Sequence, residues 1–173
     1  MKFKEVKAIE TPRLTLHILN GDDVDIVFAL RSNVEVIQYI VREPLKNISE
    51  GEEKTQELVK YIENNESISW VISLTSEKIK IGSICLWNFS EDRKTAEVGY
   101  DLLPEYHKLG IMNEALKAVL CFGFSTLKLN TVEAYTSKYN KGSIALLKKN
   151  DFKQCQDRKD EGFPDNIIFN LKI

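Results

Sequence analysis

Between Glu97 and Lys117 the chain runs Glu-Val-Gly-Tyr-Asp-Leu-Leu-Pro-Glu-Tyr-His-Lys-Leu-Gly-Ile-Met-Asn-Glu-Ala-Leu-Lys. The pattern is a strand, a short turn and a long helix, with Gly110 at the helix start. A helix start leaves several backbone N–H groups without partners and carries a partial positive charge. Glycine has no Cβ, so an anion can approach that backbone closely. A strand that ends at such a cradle points to an enzyme holding a phosphorylated cofactor.

The rest of the chain supplies the sheet around this unit. Arg13–Leu19 alternates, with Leu14, Leu16 and Ile18 on one face, as a half-buried strand does. Gly21-Asp-Asp opens a helical segment in which Val24, Val27, Phe28 and Arg31 share a face, and further helical turns follow from Glu35 to Ile40, before Pro44. Ser49-Glu-Gly-Glu52 fits a capping box, which predicts a helix from Glu50 to about Asn64. Three strands then follow, 69–74, 79–87 and 95–103, joined by short polar connections as in an antiparallel meander. After the helix that ends near Leu127 come a strand over 131–137, a helix over 143–150, and a closing hairpin of 152–157 with 166–172. This is a mixed α/β layout on one central sheet, expected as one domain over residues 1–173, without repeats or linkers.

A net charge of −2 argues against a nucleic-acid or membrane-surface role, although Lys138, Lys141, Lys148, Lys149 and Lys153 fall close together in sequence. Cys85, Cys121 and Cys155 are far apart with no C-x-x-C pair and no nearby histidine, so no metal site is expected; the reading is three reduced, mostly buried thiols. The first residues lack the apolar run of a signal peptide, and no stretch approaches the ~20 apolar residues of a membrane span. A cytoplasmic location is therefore expected.

The order of elements and the glycine turn resemble the GCN5-related N-acetyltransferases (GNAT), in particular the branch containing the RimJ and RimL ribosomal-protein acetyltransferases. Glu10-Thr-Pro-Arg-Leu14 is similar to the branch's opening strand, and Ile81–Ile84 and Ala96–Tyr100 to its middle strands. Pro104–Leu116 is similar to its coenzyme A pyrophosphate loop, and Asn140-Lys-Gly-Ser143 with Lys149-Asn-Asp-Phe152 to its last shared segment. The family loop, Q/R-x-x-G-x-G/A, stands here as His107-Lys-Leu-Gly110-Ile-Met112, and Leu147 occupies the site where many relatives carry a tyrosine general acid. The resemblance implies a mostly antiparallel sheet of about seven strands, flanked by about four helices, with a split between its two middle strands. It also implies acetyl-CoA as cofactor.

Acetyl transfer from a thioester to an amine needs an anchored cofactor, a neutral amine, donors for the oxyanion and a proton for the thiolate. Backbone amides of Leu109, Gly110, Ile111, Met112 and Asn113, with His107 and Lys108 before them, are the expected pyrophosphate cradle. Edge groups from Tyr100 to Leu103 would pair with the pantetheine arm, with Leu102 and Leu103 at the strand end, and the resemblance implies that an N–H around 101–103 polarises the thioester carbonyl. By resemblance Asn140 bonds the arm and Ser143 serves the thiolate; each is otherwise a residue of a helix start. Glu97, on one strand face with Gly99 and Asp101, is the first candidate base and Glu133 the second. His107 reads either as a phosphate contact or as an exposed loop residue, His17 shows no partner, and Trp70, Trp87 and Tyr39 are candidates for the acceptor pocket or the core.

The expected activity is direct acetylation of a primary amine, with a protein N-terminal α-amine of the ribosomal-protein type as acceptor. The alternatives are a small-molecule amine (a polyamine, an aminoglycoside or an amino-acid analogue) and a coenzyme A sensor without turnover. A homodimer is compatible with these readings.

Overall fold

In the computed structural model, which describes residues 1–173, β1 (Ile9–Glu10) and β2 (Leu14–Ile18) lead into α1 (Val24–Ser32), α2 (Val34–Ile37) and α3 (Ile48–Glu63). The meander is β3 (Ile68–Leu74), β4 (Lys80–Trp87) and β5 (Thr95–Leu102). Then come α4 (Ile111–Ser125), β6 (Thr131–Ser137), α5 (Lys141–Lys149), β7 (Lys153–Gln154) and β8 (Asn166–Lys172). The strands form one sheet in the order β1-β2-β3-β4-β5-β6-β8-β7, antiparallel everywhere except between β5 and β6. The sheet has one strand more than expected, because the two-residue β1 adds an outer edge to β2.

Strand alternation sorts the side chains onto two faces. Leu16, Trp70, Ile84, Leu86 and Val98 lie on the face under α4, where Trp70 meets Phe122 edge to face at 5.4 Å between ring centroids. Trp70 is 0% exposed, so it is a core residue and not part of an acceptor pocket. The opposite face carries Val71, Cys85, Glu97, Gly99 and Asp101, and α1 and α3 pack there against β4 and β3.

Several local expectations shift. Helix α3 begins at Ile48, not Glu50, because Asn47 is its cap: its side chain accepts the Glu50 N–H (3.1 Å), while the Glu50 carboxylate accepts the Lys46 N–H (2.8 Å). Asn47-x-x-Glu50 is the same cap pattern as Ser49-x-x-Glu52, two residues earlier. His17 has a partner after all, the carboxylate of Asp23, with Nε2 to Oδ1 at 3.0 Å. Asp23 also accepts the Asn20 N–H (2.9 Å) and contacts Lys80 Nζ (3.1 Å). Of the three cysteines, all free, Cys121 is exposed, since it falls on the outer side of α4.

Candidate active site

The parallel pairing of β5 with β6 is short: Thr95 with Thr131, Ala96 with Val132, Glu97 with Glu133, and no further. β5 continues beside β4 to Leu102, and β6 continues beside β8 to Ser137. The two middle strands therefore separate just past Glu97 and Glu133 and leave two inner edges free. The Leu103 N–H donates to the Ile81 carbonyl (2.9 Å), so Leu103, Asp101 and Gly99 turn their backbone groups toward β4. By alternation Val98, Tyr100 and Leu102 turn theirs toward β6; the Glu97–Glu133 pairing takes the Val98 N–H, so the Val98 carbonyl, the Tyr100 groups and the Leu102 N–H face the gap.

This corrects the expectation for Leu103 and for an oxyanion donor at Asp101 or Leu103. The Leu103 carbonyl accepts the Tyr106 N–H (3.0 Å), so both backbone groups of Leu103 are spent within the protein. His107 is exposed in the loop, the second of its two readings. Its Nε2 lies 2.9 Å from the Leu102 carbonyl oxygen, so the imidazole braces the loop against the strand end.

Beyond β5, Pro104–Tyr106 makes one 3-10 turn, and the chain enters α4 through Gly110 at φ +76°, a left-handed conformation that glycine adopts without strain. The first recurrent helical bond is that from the Glu114 N–H to the Gly110 carbonyl (3.1 Å). The N–H groups of Lys108, Leu109, Gly110, Ile111, Met112 and Asn113 find no acceptor within the protein. A run of unpaired donors at the positive end of a 15-residue helix suits a diphosphate, and so these residues fit the cofactor that the resemblance implies.

The cradle is held from behind by residues that the sequence reading passed over. Arg13 Nε donates to Glu114 Oε2 (2.7 Å), Arg13 Nη1 to the Leu109 carbonyl (3.0 Å), and the Arg13 N–H to Glu114 Oε1 (2.9 Å). Thr11 Oγ1 donates to the same oxygen at 2.6 Å. Burial works against the Glu114 charge, but the Thr11 and Arg13 bonds outweigh it and hold the carboxyl below its ordinary range. The sequence signal was present: an acidic residue in the first turn of the helix, and an arginine in the quoted Thr-Pro-Arg-Leu segment. Asn113 contributes a second brace, its Oδ1 accepting from Asn150 Nδ2 (3.0 Å), which ties the start of α4 to the end of α5.

On the α5 side, Asn140 caps the helix, its Oδ1 accepting the Ser143 N–H at 3.0 Å, which leaves Nδ2 unspent. The Ser143 hydroxyl lies 2.8 Å from the Tyr100 phenol oxygen. Burial pushes the Tyr100 phenol up to about 12, so it keeps its proton at neutral pH. Leu147 is fully buried core, and it is Tyr100, from β5, that brings a phenol to Ser143. Alternation along β5 puts that side chain on the α5 side of the sheet.

The other face at the same level carries Glu97. Burial pushes its carboxyl up to about 7, against the lowering effect of Asn88 Nδ2 at 3.4 Å and with the help of the nearby Asp160 and Glu133 charges. Glu133, the second candidate, is committed elsewhere: it pairs with both terminal nitrogens of Arg158 and accepts from the Tyr135 hydroxyl (3.1 Å). Burial raises its carboxyl, and the Arg158 bonds more than reverse this, so it stays ionised and paired. A Cβ placed on Gly99 would stand 3.2 Å from Cys85 Sγ and 3.7 Å from Trp87 Nε1, which locates the half-exposed Trp87 beside this stretch of β5. Asp101, next along, is raised by burial and partly restored by the Arg31 charge. Burial also pushes the Cys85 thiol up to about 12, which removes it as a nucleophile.

Comparison with known proteins agrees with this geometry. The family model for an acetyltransferase (GNAT) domain matches residues 13–153. The chain is 30% identical to the uncharacterized N-acetyltransferase YoaA of Bacillus subtilis (strain 168) over 84% of its own length and 82% of the relative's. Among solved structures, it superposes on the ribosomal-protein-S5-alanine acetyltransferase of Vibrio fischeri with a TM-score of 0.79 at 18% identity, over 95% of this chain and 96% of that one. The spermidine N-acetyltransferase of Vibrio cholerae, in complex with CoA and spermine, gives a TM-score of 0.79 at 20% identity, over 94% and 96%. With a cradle of free amides at the end of a splayed strand, and a family match over most of its length, the chain belongs to the GNAT acetyltransferases and is an N-acetyltransferase that uses acetyl-CoA.

Proposed function

We propose that the chain acetylates α-amines directly, with a protein N-terminus of the kind acted on by RimJ- and RimL-like enzymes as acceptor. Acetyl-CoA, when bound, supplies the acetyl group as an activated thioester. The amides from Lys108 to Asn113 hold its diphosphate, helped by the α4 dipole. The Val98 carbonyl, the gap-facing groups of Tyr100 and the Leu102 N–H pair with the amides of its arm, as one strand pairs with another. Asn140 Nδ2 is left to donate to the same arm.

Glu97 takes the proton that the amine loses as its nitrogen bonds to the acetyl carbon. A carboxylate near 7 matches an α-amine, whose pKa of about 8 leaves part of it neutral at cell pH. It is poorly matched to a lysine-like amine near 10.4. Ser143 gives a proton to the departing sulfur and regains one from the Tyr100 phenol, which solvent then reprotonates. No acyl-enzyme is involved: Cys85 is held as a thiol, and Cys121 is exposed on α4.

One observation carries this reading. Glu97 stands where β5 leaves β6, so a basic carboxylate and an anion cradle lie along one free strand edge. The test is thiol release with product mass, using peptides with free N-termini, blocked peptides with an internal lysine, spermidine and an aminoglycoside. Turnover confined to free N-termini supports the reading, and turnover confined to the other amines removes it.

A further inference from the structure

The helical side of the sheet beside Glu97 holds a second constellation. Arg31, Arg42, Glu43, Leu45 and Lys54 line a cleft of about 350 Å³ among α1, α3 and the segment between α2 and α3. Lys54 is already neutralised, its Nζ 2.7 Å from Glu57 Oε2. No carboxylate lies within 4.0 Å of the Arg31 or Arg42 guanidinium, and neither side chain donates a hydrogen bond within the protein. The Leu45 N–H donates to the Arg31 carbonyl (3.1 Å), which fixes Arg31 to the segment that carries Arg42. Arg31 is half-buried, on a helix face otherwise made of Val27 and Phe28, and an arginine on an apolar face needs a reason.

Arg31 also connects the cleft to the reaction site. Its charge reaches Asp101 on β5 and Cys85 on β4, which share the face with Glu97. So one cation lines the cleft and acts through space on the strand that carries the proposed base. With Lys54 paired to Glu57, whose carboxylate also feels Arg31, the two guanidinium groups outnumber the one other lining carboxylate, Glu43, so the cleft repels a polycation and attracts a molecule with its own negative charge.

We propose that Arg31 and Arg42 bind an anionic group, a carboxylate or a phosphate, carried by the same acceptor molecule whose amine is acetylated beside Glu97. This rests on the α-amine reading and narrows it to acceptors such as an acidic peptide N-terminus. It makes a free polyamine a poor substrate.

The experiment uses peptides that share a free N-terminus and differ only at the second and third positions, as neutral, glutamate, phosphoserine or lysine residues. The expected order is a KM at least about tenfold lower for the acidic peptides than for the neutral one, with the lysine peptide worst. Arg31→Gln narrows that preference by about tenfold, and Arg42→Gln, on an exposed segment, narrows it in part. A lower KM for phosphoserine than for glutamate assigns the phosphate source, and the reverse assigns the carboxylate. Equal KM values across the set, or an Arg31→Gln loss that is the same for every peptide, overturns the proposal. Binding of an N-acetylated acidic peptide, followed by calorimetry on wild type and both variants, reads the subsite without turnover. If no peptide is acetylated, the α-amine reading fails, and this binding measurement alone decides: tight binding lost in Arg31→Gln upholds the anion site, and no binding ends it.

Discussion

The Tyr100 phenol oxygen lies 2.8 Å from the Ser143 hydroxyl oxygen, and this contact ties the free edge of β5 to the first turn of α5. It joins a group that keeps its proton to one that can pass a proton on. Removing the hydroxyl in Ser143→Ala is expected to lower kcat by about 10- to 100-fold, with little change in the KM for acetyl-CoA. Tyr100→Phe gives a smaller loss, and the double variant is no worse than Ser143→Ala alone, because both act on one proton path. Steady-state kinetics of the four proteins measure this; additive losses would assign the residues separate roles.

Glu97→Gln is expected to cut kcat/KM by about 10²- to 10⁴-fold. In the wild type, kcat/KM rises with pH through about 7 as Glu97 loses its proton, and the variant lacks that limb. Stability moves the other way. A carboxyl raised from 4.5 to about 7 in the folded state favours the protonated fold, so stability falls as pH climbs between those values. Glu97→Gln should therefore melt higher than wild type at pH 8, with the difference closing toward pH 4. A melting temperature that stays level across this range in both proteins would contradict the shift.

Gly110→Ala tests the cradle. The added Cβ has room, with Arg13 Nη2 at 3.5 Å, but φ of +76° strains any side chain. The expected cost is about 1–2 kcal/mol of stability. The KM for acetyl-CoA should rise severalfold more than the KM for the amine, as initial-rate kinetics with both substrates varied will show.

Arg13→Ala releases both the Leu109 carbonyl and the Glu114 carboxylate. Glu114 then places an unneutralised charge in the first turn of α4, beneath the donors meant for a diphosphate. Weaker coenzyme A binding is expected, by about tenfold, with a matching loss of ligand-induced melting shift. Glu114→Gln in the Arg13→Ala background should recover part of it, since the stray charge is gone.

Asp23 links β2 to β4 through His17 and Lys80 while buried. Burial works against its charge, and the His17, Asn20 and Lys80 contacts overcome this and hold the carboxyl below 3.8. Such a group stabilises the fold above its unfolded pKa and loses that contribution as pH falls through its depressed value. Asp23→Asn should lower stability by about 2 kcal/mol at pH 7, discounted for the partial exposure of its partners, and show less further loss on acidification. Denaturant melts at pH 7 and pH 3 measure both.

Much of this was legible in local patterns. The alternation of 69–74, 79–87 and 95–103 and the helical spacing after Gly110 gave element type nearly residue by residue, because each pattern reflects one face turned to the core. The glycine turn was legible for the same reason: backbone donors at a helix start need no distant partner. Leu103 and His17 were not, because their roles are set by Ile81 and Asp23, and only folding brings those partners into reach.

The sequence alone thus determined the meander, the anion cradle and the family resemblance, all of which depend on residues near one another in the chain. Tertiary structure decided which carboxylate is paired with a cation and which is left without one, its proton affinity raised. Arg158 reaches Glu133 across 25 positions, and burial beside Asp160 acts on Glu97. It also decided that Tyr100 meets Ser143, and that Arg31 lines a cleft while its charge acts on Asp101. Charge and proton affinity depend on distance and desolvation in three dimensions, and neither quantity exists until the sheet and its helices have closed on one another.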